Sequence, residues 1–182
     1  MRLRTTLTAL VAVCAGIPAV AAAQVHTVSD PSGDVVVGGR VKPGVGAGDI
    51  TSVRTAYRPN EVKISVELRE NPFPAFVEIR GDVKVPRSRF MHQFLVDGGR
   101  NPLFIYDRQG AVVRCPGVSD SISRDMRRIT LSIPAKCLER PRWVRTSLMF
   151  WTEYGGHGST FDTAATRRDD APAPLGPRVR RG

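Results

Sequence analysis

Apolar residues in this chain recur at every second position and hardly anywhere at helical spacing. The clearest case is residues 62–68, whose apolar members are Val62, Ile64, Val66 and Leu68. The polar residues between them are Lys63, Ser65 and Glu67. Because successive side chains of a strand point to opposite faces, this segment predicts a half-buried strand. A chain dominated by this period buries its apolar faces by packing sheet on sheet or by closing a barrel.

Seven further segments have the same character and are bounded by Gly, Pro, Asp or Asn. They are residues 50–57, 76–79, 90–96, 103–106, 111–115, 129–133 and 144–152. Turn residues between consecutive runs, such as Asp97-Gly98-Gly99, favour antiparallel neighbours. One helical turn is expected at 135–139. The pattern predicts an all-β fold, an antiparallel β-sandwich of about 8–9 short strands, with the apolar residues of 62–68 and 129–133 in its core.

The first 23 residues have the three parts of a secretory signal peptide. Arg2 and Arg4 form a positive start, residues 7–20 are apolar and uncharged, and three alanines end at Ala23. We expect cleavage after Ala23 and a secreted, extracytoplasmic protein. The mature chain is expected to contain no transmembrane segment.

Two alternatives exist for this leader. A membrane anchor needs about 20 apolar residues, whereas Gly16 and Pro18 interrupt this run. A lipid anchor at Cys14 would follow Val13, where a small residue is expected, and would leave almost no apolar region before it. Cleavage therefore remains the prediction for residues 1–23.

Removal of the leader would leave a basic chain with two cysteines. The formal net charge of +10 becomes +8, because the leader's two arginines are its only charged residues. An even pair of cysteines in an oxidising compartment is most simply a disulfide, which predicts a bond between Cys115 and Cys137. We place one domain at 24–162 and an extended or disordered Pro- and Arg-rich tail at 163–182.

Several short stretches resemble a group of small secreted actinobacterial proteins. They are Asp30-Pro31-Ser32-Gly33-Asp34-Val35, then Asp49-Ile50 at the start of a strand, residues 133–145, and Arg178-Val179-Arg180-Arg181-Gly182. The layout is also distantly similar to β-sandwich modules of the DOMON and family-9 carbohydrate-binding type. The resemblance implies a β-sandwich and an extracytoplasmic location rather than an activity.

Aspartates near both ends of the predicted domain are candidate calcium ligands. They are Asp30 and Asp34 around a Pro-Ser-Gly turn, Asp49 before a strand, and Asp169 and Asp170 near the C-terminus. Calcium takes six to eight oxygen ligands from irregular loops, and the two ends of a sandwich can lie side by side. The alternative is that these are ordinary turn residues, since their spacing matches no EF-hand.

Arginines form three clusters that are candidate polyanion-binding residues. They are Arg124, Arg127 and Arg128, then Arg140, Arg142 and Arg145, and finally Arg178, Arg180 and Arg181. For an exported protein the available polyanions are acidic cell-wall polymers and glycans. No nucleic-acid partner is expected, because no DNA- or RNA-reading motif is present. The alternative is an Arg-rich composition on solvated faces without a partner.

No residue pattern amounts to a catalytic signature, so a non-enzymatic binding or cell-envelope module is the expectation, with calcium as the one candidate cofactor. A hydrolase based on His157 is a weaker alternative, because a hydrolase also needs a nucleophile and an orienting acid. Trp143 and Trp151 either fill the core or present a platform to sugar rings. Carbohydrate binding, with or without calcium, is therefore the main rival of polyanion binding.

Overall fold

Strands account for nearly all of the regular structure in the computed structural model of this chain. The structure describes residues 23–38, 40–42, 44–46, 48–71, 76–86, 91–97, 101–107, 109–153, 159–164 and 174–182. The bulk of the predicted leader, His157, Asp169 and Asp170 lie outside the described residues. No helix in the described part of the chain is both long and apolar enough to cross a membrane.

The described residues form thirteen strands and one turn of 3-10 helix. In chain order the strands are β1 (Gln24–Ser29), β2 (Val36–Val37), β3 (Arg40–Val41), β4 (Ile50–Tyr57), β5 (Glu61–Leu68), β6 (Phe76–Lys84), β7 (Met91–Asp97), β8 (Asn101–Tyr106), β9 (Ser119–Ile122), β10 (Arg128–Pro134), β11 (Trp143–Glu153), β12 (Ser159–Thr163) and β13 (Val179–Arg180). The 3-10 turn is η1 (Ala135–Leu138), which lies within the helical turn predicted at 135–139.

The strands form two antiparallel sheets. The first has the order β1-β4-β5-β10-β9, and the second has the order β3-β2-β12-β11-β6-β7-β8, with β13 also pairing with β11. Every pairing is antiparallel, as the turn residues predicted. The predicted all-β, sandwich-like fold is therefore confirmed.

The core consists of the apolar strand faces. The first sheet contributes the fully buried residues Val62, Ile64, Val66, Ile129, Leu131 and Ile133. The second contributes the fully buried residues Ile79, Val83, Ile105, Leu148 and Phe150. Lys63, Ser65 and Glu67 are only partly buried and alternate with the buried residues along β5. The predicted alternation of β5 and β10 is thus confirmed, and it follows from the two-residue period of strand side chains.

Two strand predictions differ from the structure. Residues 111–115 form no strand but only an isolated bridge between Val112 and Tyr106, and Val112 is 52% exposed. Val113 and Cys115 of this stretch are partly buried against the core, but a single bridge is too little pairing to form a strand. The number of strands is also larger than predicted, because polar segments such as β1 and β9 join the first sheet through backbone hydrogen bonds, which apolar alternation does not reveal.

The predicted cysteine pair is confirmed. The Cα atoms of Cys115 and Cys137 lie 5.8 Å apart, within the range of a disulfide. The bond joins the stretch that follows β8 to η1. A positive φ of 60° at Glu139 ends η1 and turns the chain toward β11.

The C-terminal segment, residues 174–182, runs in an extended conformation against the sheets. Its strand β13 pairs with Trp143 and Val144, and the Gly182 amide donates to the Tyr57 carbonyl at 3.2 Å. Arg145 donates through Nε to the Gly176 carbonyl at 2.6 Å and through Nη2 to the Leu175 carbonyl at 2.9 Å. Val179 is buried, so this part of the predicted tail packs into the core rather than having nothing to bury.

Candidate functional site

The first arginine cluster lies at the turn between β9 and β10. Arg128 is opposite Glu67 in the pairing of β10 with β5, and its Nε donates to that carboxylate. Arg127 donates to Asp125 at 3.4 Å. Two of the three guanidinium groups in this cluster therefore already face carboxylates.

The second and third arginine clusters come together at the other end of the first sheet. The pairing of β13 with β11 sets Arg180 opposite Trp143, and the Arg181 amide donates to the Arg142 carbonyl at 3.0 Å. We call the resulting group the arginine face, and its members are Arg140, Arg142, Arg178, Arg180 and Arg181. All five are exposed, and none forms an ion pair within the described residues. The arginine face lies beside the N-terminal end of β5. At about 3.3 Å per strand residue, that end is about 17 Å from Glu67 near the other end of the strand.

Arg145 is a predicted polyanion-binding residue with a different role. Its guanidinium is partly buried and donates to two carbonyl groups of the C-terminal segment. These bonds use donors that an external polyanion would otherwise contact. Arg145 therefore fixes the segment that carries three of the five members of the arginine face, rather than belonging to that face.

Trp143 lies within the arginine face. The guanidinium carbon of Arg178 is 4.7 Å from the centre of the Trp143 ring, which is the geometry of a cation–π contact. One face of this ring is therefore covered by an arginine. A sugar that stacked on Trp143 would have to use the other ring face or displace Arg178. Trp151 lies farther along β11, opposite Phe161, and is half-buried.

A small cavity lies beneath the C-terminal segment. Its volume is about 30 Å³, and Thr55, Thr146 and Val179 are among the residues that line it. The Thr55 and Thr146 hydroxyls hydrogen-bond to each other across it at 2.7 Å. This is room for about one water molecule rather than for a substrate.

A second group of charges lies at the junction of the N-terminal turn with β12. Carboxylate oxygens of Asp30, Asp34 and Asp162 lie within 4.8 Å of one another, and all three residues are buried. Asp30 follows β1 and Asp34 precedes β2, and Gly33 between them has a φ of +87°. This left-handed conformation is strained for other residues, so the glycine allows the turn that brings the two aspartates together.

Asp49 is fully buried and braces that turn. Its Oδ2 accepts from the Gly33 amide at 2.8 Å and from Arg69 Nη1 at 3.4 Å. The Arg69 amide also donates to the Asp49 carbonyl at 2.8 Å. Asp49, which directly precedes β4, therefore holds the turn between Asp30 and Asp34 in place.

Asp162 is the buried acid in the middle of β12. Its Oδ2 accepts from the Ile50 amide at 2.7 Å, and its Oδ1 accepts from the Thr163 amide at 2.8 Å. The pKa of Asp162 is raised to about 7, chiefly by burial and also by the charges of Asp34 and Asp49, against the lowering effect of the two amides. Near neutral pH, a carboxylate with this pKa exchanges readily between a protonated form and a charged form that can bind a cation.

The aspartates predicted as calcium ligands thus have three outcomes. Asp30 and Asp34 converge, and Asp49 supports their turn, whereas Asp169 and Asp170 are among the residues that the structure does not describe. Asp162 was missed as a member of the group. Its one sequence signal is an aspartate in the interior of a short Thr- and Phe-containing strand, a place from which aspartate is usually excluded.

No protein-family model matches this chain, and no curated protein and no solved structure matches it significantly. The resemblance to secreted actinobacterial proteins and to DOMON-type modules therefore stays a prediction.

Proposed function

We propose that the protein is an exported, non-enzymatic binding module that holds acidic polymers of the cell envelope through weak electrostatic contacts on the arginine face. The observation that supports this proposal is that five exposed arginines, from two separate sequence clusters, lie at one end of the sheets, where β13 pairs with β11. Export itself rests on the signal peptide predicted at residues 1–23.

The charge balance of the arginine face favours an external anion. Its five positive charges are accompanied in the neighbouring sequence by one acid, Glu139. Guanidinium groups present paired donors that match carboxylate and phosphate oxygens, which are the anionic groups of envelope polymers. The turn between β9 and β10 is a poorer candidate, because Asp125 and Glu67 already contact two of its arginines.

The rival proposal is a carbohydrate platform on Trp143. Because Arg178 covers one face of that ring, the exposed surface offers charge more readily than an open aromatic plane. The two proposals differ in their response to salt. Electrostatic contacts between exposed groups act over about 10 Å at 0.1 M salt and about 3 Å at 1 M, whereas apolar stacking is not screened.

The test is retention of the protein on immobilised polygalacturonate and on a poly(glycerol phosphate) wall polymer between 0.1 and 1 M NaCl. Retention at low salt should be lost at high salt. Retention that does not change with salt would favour the carbohydrate platform, and no retention on either polymer at any salt concentration would exclude the proposal.

Matched variants distinguish the arginine face from net charge. Arg178, Arg180 and Arg181 are changed together to Gln in one variant, and Arg124, Arg127 and Arg128 are changed to Gln in the other. Both variants lose three positive charges, but only the first alters the arginine face. The first should lose most of its retention at 0.1 M NaCl and the second only a small part, and equal losses would contradict the role of this face.

A further inference from the structure

We propose that Asp30, Asp34 and Asp162 bind one calcium ion, which ties the N-terminal turn to strand β12. The site is distinct from the arginine face and is buried, so its role is to hold the fold together rather than to contact a polymer. The proposal includes Asp162, which the sequence did not predict, and does not need Asp169 or Asp170.

The distances fit one large cation. Two oxygens bound on opposite sides of a calcium ion, each at 2.3–2.6 Å, are about 4.6–5.2 Å apart. The carboxylate oxygens of the three aspartates lie within 4.8 Å of one another. A single ion can therefore contact all three side chains without a rearrangement of the backbone.

The buried, negatively surrounded carboxylate of Asp162 would be stabilised by a cation. This residue is 2% exposed, and its charge is repelled by Asp34 and Asp49. Among the described residues its side-chain contacts are two backbone amides, with no ammonium or guanidinium group in ion-pair contact. Burial of a carboxylate next to like charges is unfavourable unless an opposite charge compensates it.

Buried hydroxyl groups beside the aspartates are an independent sign that this site binds a ligand. Thr160 lies two residues before Asp162 on β12, and therefore on the same face of the strand, and Thr152 is its partner on β11. Both residues are buried, and neither hydroxyl oxygen has a hydrogen-bond partner in the described part of the chain. Buried polar atoms without partners are uncommon in folded proteins.

Asp49, whose charge acts on Asp162, has one further unsatisfied oxygen. Asp49 uses Oδ2 for the N-terminal turn, while its Oδ1 is buried without a hydrogen-bond partner. A Cβ atom added to Gly48 would lie 3.2 Å from a side-chain carbon of Thr152, which shows that Thr152 lies directly beside the segment that leads into Asp49. An ion with its bound water would supply partners for these oxygens.

The ligand chemistry selects calcium among common divalent ions. The three residues offer only carboxylate oxygens, which hard cations prefer, and the group contains no His or Cys that would favour zinc. Magnesium requires a near-ideal octahedron at about 2.1 Å and usually keeps several waters, with only one or two protein carboxylates. Three buried carboxylates on a turn and a strand suit the longer bonds and flexible geometry of calcium.

The ion would link segments that are remote in sequence. Asp30 follows β1 of the first sheet, and Asp162 lies in β12 of the second. Asp34 stands between them, just before β2, which pairs with β12. Bound calcium would therefore hold the start of the domain against the strand near its end.

The test uses the full protein after removal of metal with EGTA. Thermal unfolding is followed with and without 10 mM CaCl2, and calcium binding is measured by isothermal titration. Because an ion that binds only the native state raises the midpoint as its concentration rises, we expect Tm to rise by about 5–10 °C and one ion to bind per chain. Equal stabilisation by 10 mM MgCl2 would overturn the assignment to calcium.

Three variants locate the site. Asp162→Asn and Asp34→Asn each remove one ligand charge with little change in shape, and should lose the calcium-dependent rise in Tm and bind calcium at least tenfold more weakly. Asp120→Asn, on the exposed strand β9, removes the same charge elsewhere and should respond like the unchanged protein. Unchanged calcium binding in both cluster variants, or no binding by the unchanged protein, would overturn the proposal. Because this test reads ion binding, its failure is separable from failure of polymer retention.

Discussion

Replacement of Asp162 by Asn should make the metal-free protein less sensitive to pH. The pKa of Asp162 is raised from an ordinary value of 3.8 to about 7, chiefly by burial and then by the charges of Asp34 and Asp49. The native state therefore holds this proton more tightly than the unfolded chain does. The stability from the proton is fully present below about pH 4 and is lost as pH rises through about 7.

The size of the effect follows from the two pKa values. At about 1.4 kcal/mol per pH unit, the interval from 3.8 to about 7 corresponds to about 4 kcal/mol, of which about 3 kcal/mol is lost between pH 5 and pH 8. Asparagine cannot ionise, so this loss should be absent from Asp162→Asn. The amide offers only one oxygen to the Ile50 and Thr163 amides, at a cost of about 1 kcal/mol that is the same at both pH values.

The assay is urea unfolding in EGTA at pH 5, 6, 7 and 8, followed by tryptophan fluorescence. The unfolding free energy of the unchanged protein should fall by about 3 kcal/mol more than that of Asp162→Asn across this range. Asp120→Asn should behave like the unchanged protein, because Asp120 lies on an exposed strand. If the unfolding free energies of Asp162→Asn and of the unchanged protein changed in parallel with pH, the pH dependence could not come from Asp162.

Three further predictions concern the framework of the fold. Replacement of both Cys115 and Cys137 by Ser opens a loop with a sequence separation of 22 and should lower the unfolding free energy by about 3 kcal/mol, and an unchanged urea midpoint would contradict this. Leu131→Ala, at a fully buried position, should cost about 2–5 kcal/mol, against less than about 0.5 kcal/mol for Val25→Ala at a position 42% exposed, and equal costs would mean that the core is misplaced. Arg145→Ala removes two hydrogen bonds to the C-terminal segment and should speed its trimming by carboxypeptidase, which mass spectrometry of timed digests would detect.

Much of the fold could be predicted from local patterns in the sequence. Residues 62–68 and 129–133 alternate strictly between apolar and polar, and both lie in strands with the predicted faces buried. The helical turn at 135–139 and the pairing of Cys115 with Cys137 were also predictable, since they depend on the flanking prolines and on a count of two cysteines. Strands β1 and β12 were missed, because their polar sequences form strands only through pairing with neighbours.

The candidate site was only half predictable. The turn from Asp30 to Asp34 has a local signature, because proline, serine and glycine lie between two acids. The participation of Asp162 has no local signature, because the residue is placed by a hydrogen bond from Ile50, which is 112 positions away in the sequence. Asp169 and Asp170, which the sequence also predicted as ligands, lie outside the described residues, so that part of the prediction stays a prediction.

The alternation of apolar residues and the positions of turns could be predicted from the sequence, because they depend on neighbours within a few positions. The cysteine pairing could be predicted because only two cysteines follow the predicted leader. Tertiary structure was needed to place two arginine clusters at one end of the sheets, to turn Arg145 inward and to bring Asp162 to the turn from Asp30 to Asp34. The physical reason is strand pairing. Hydrogen bonds between backbones of distant segments fix the register, and the register decides which charges meet.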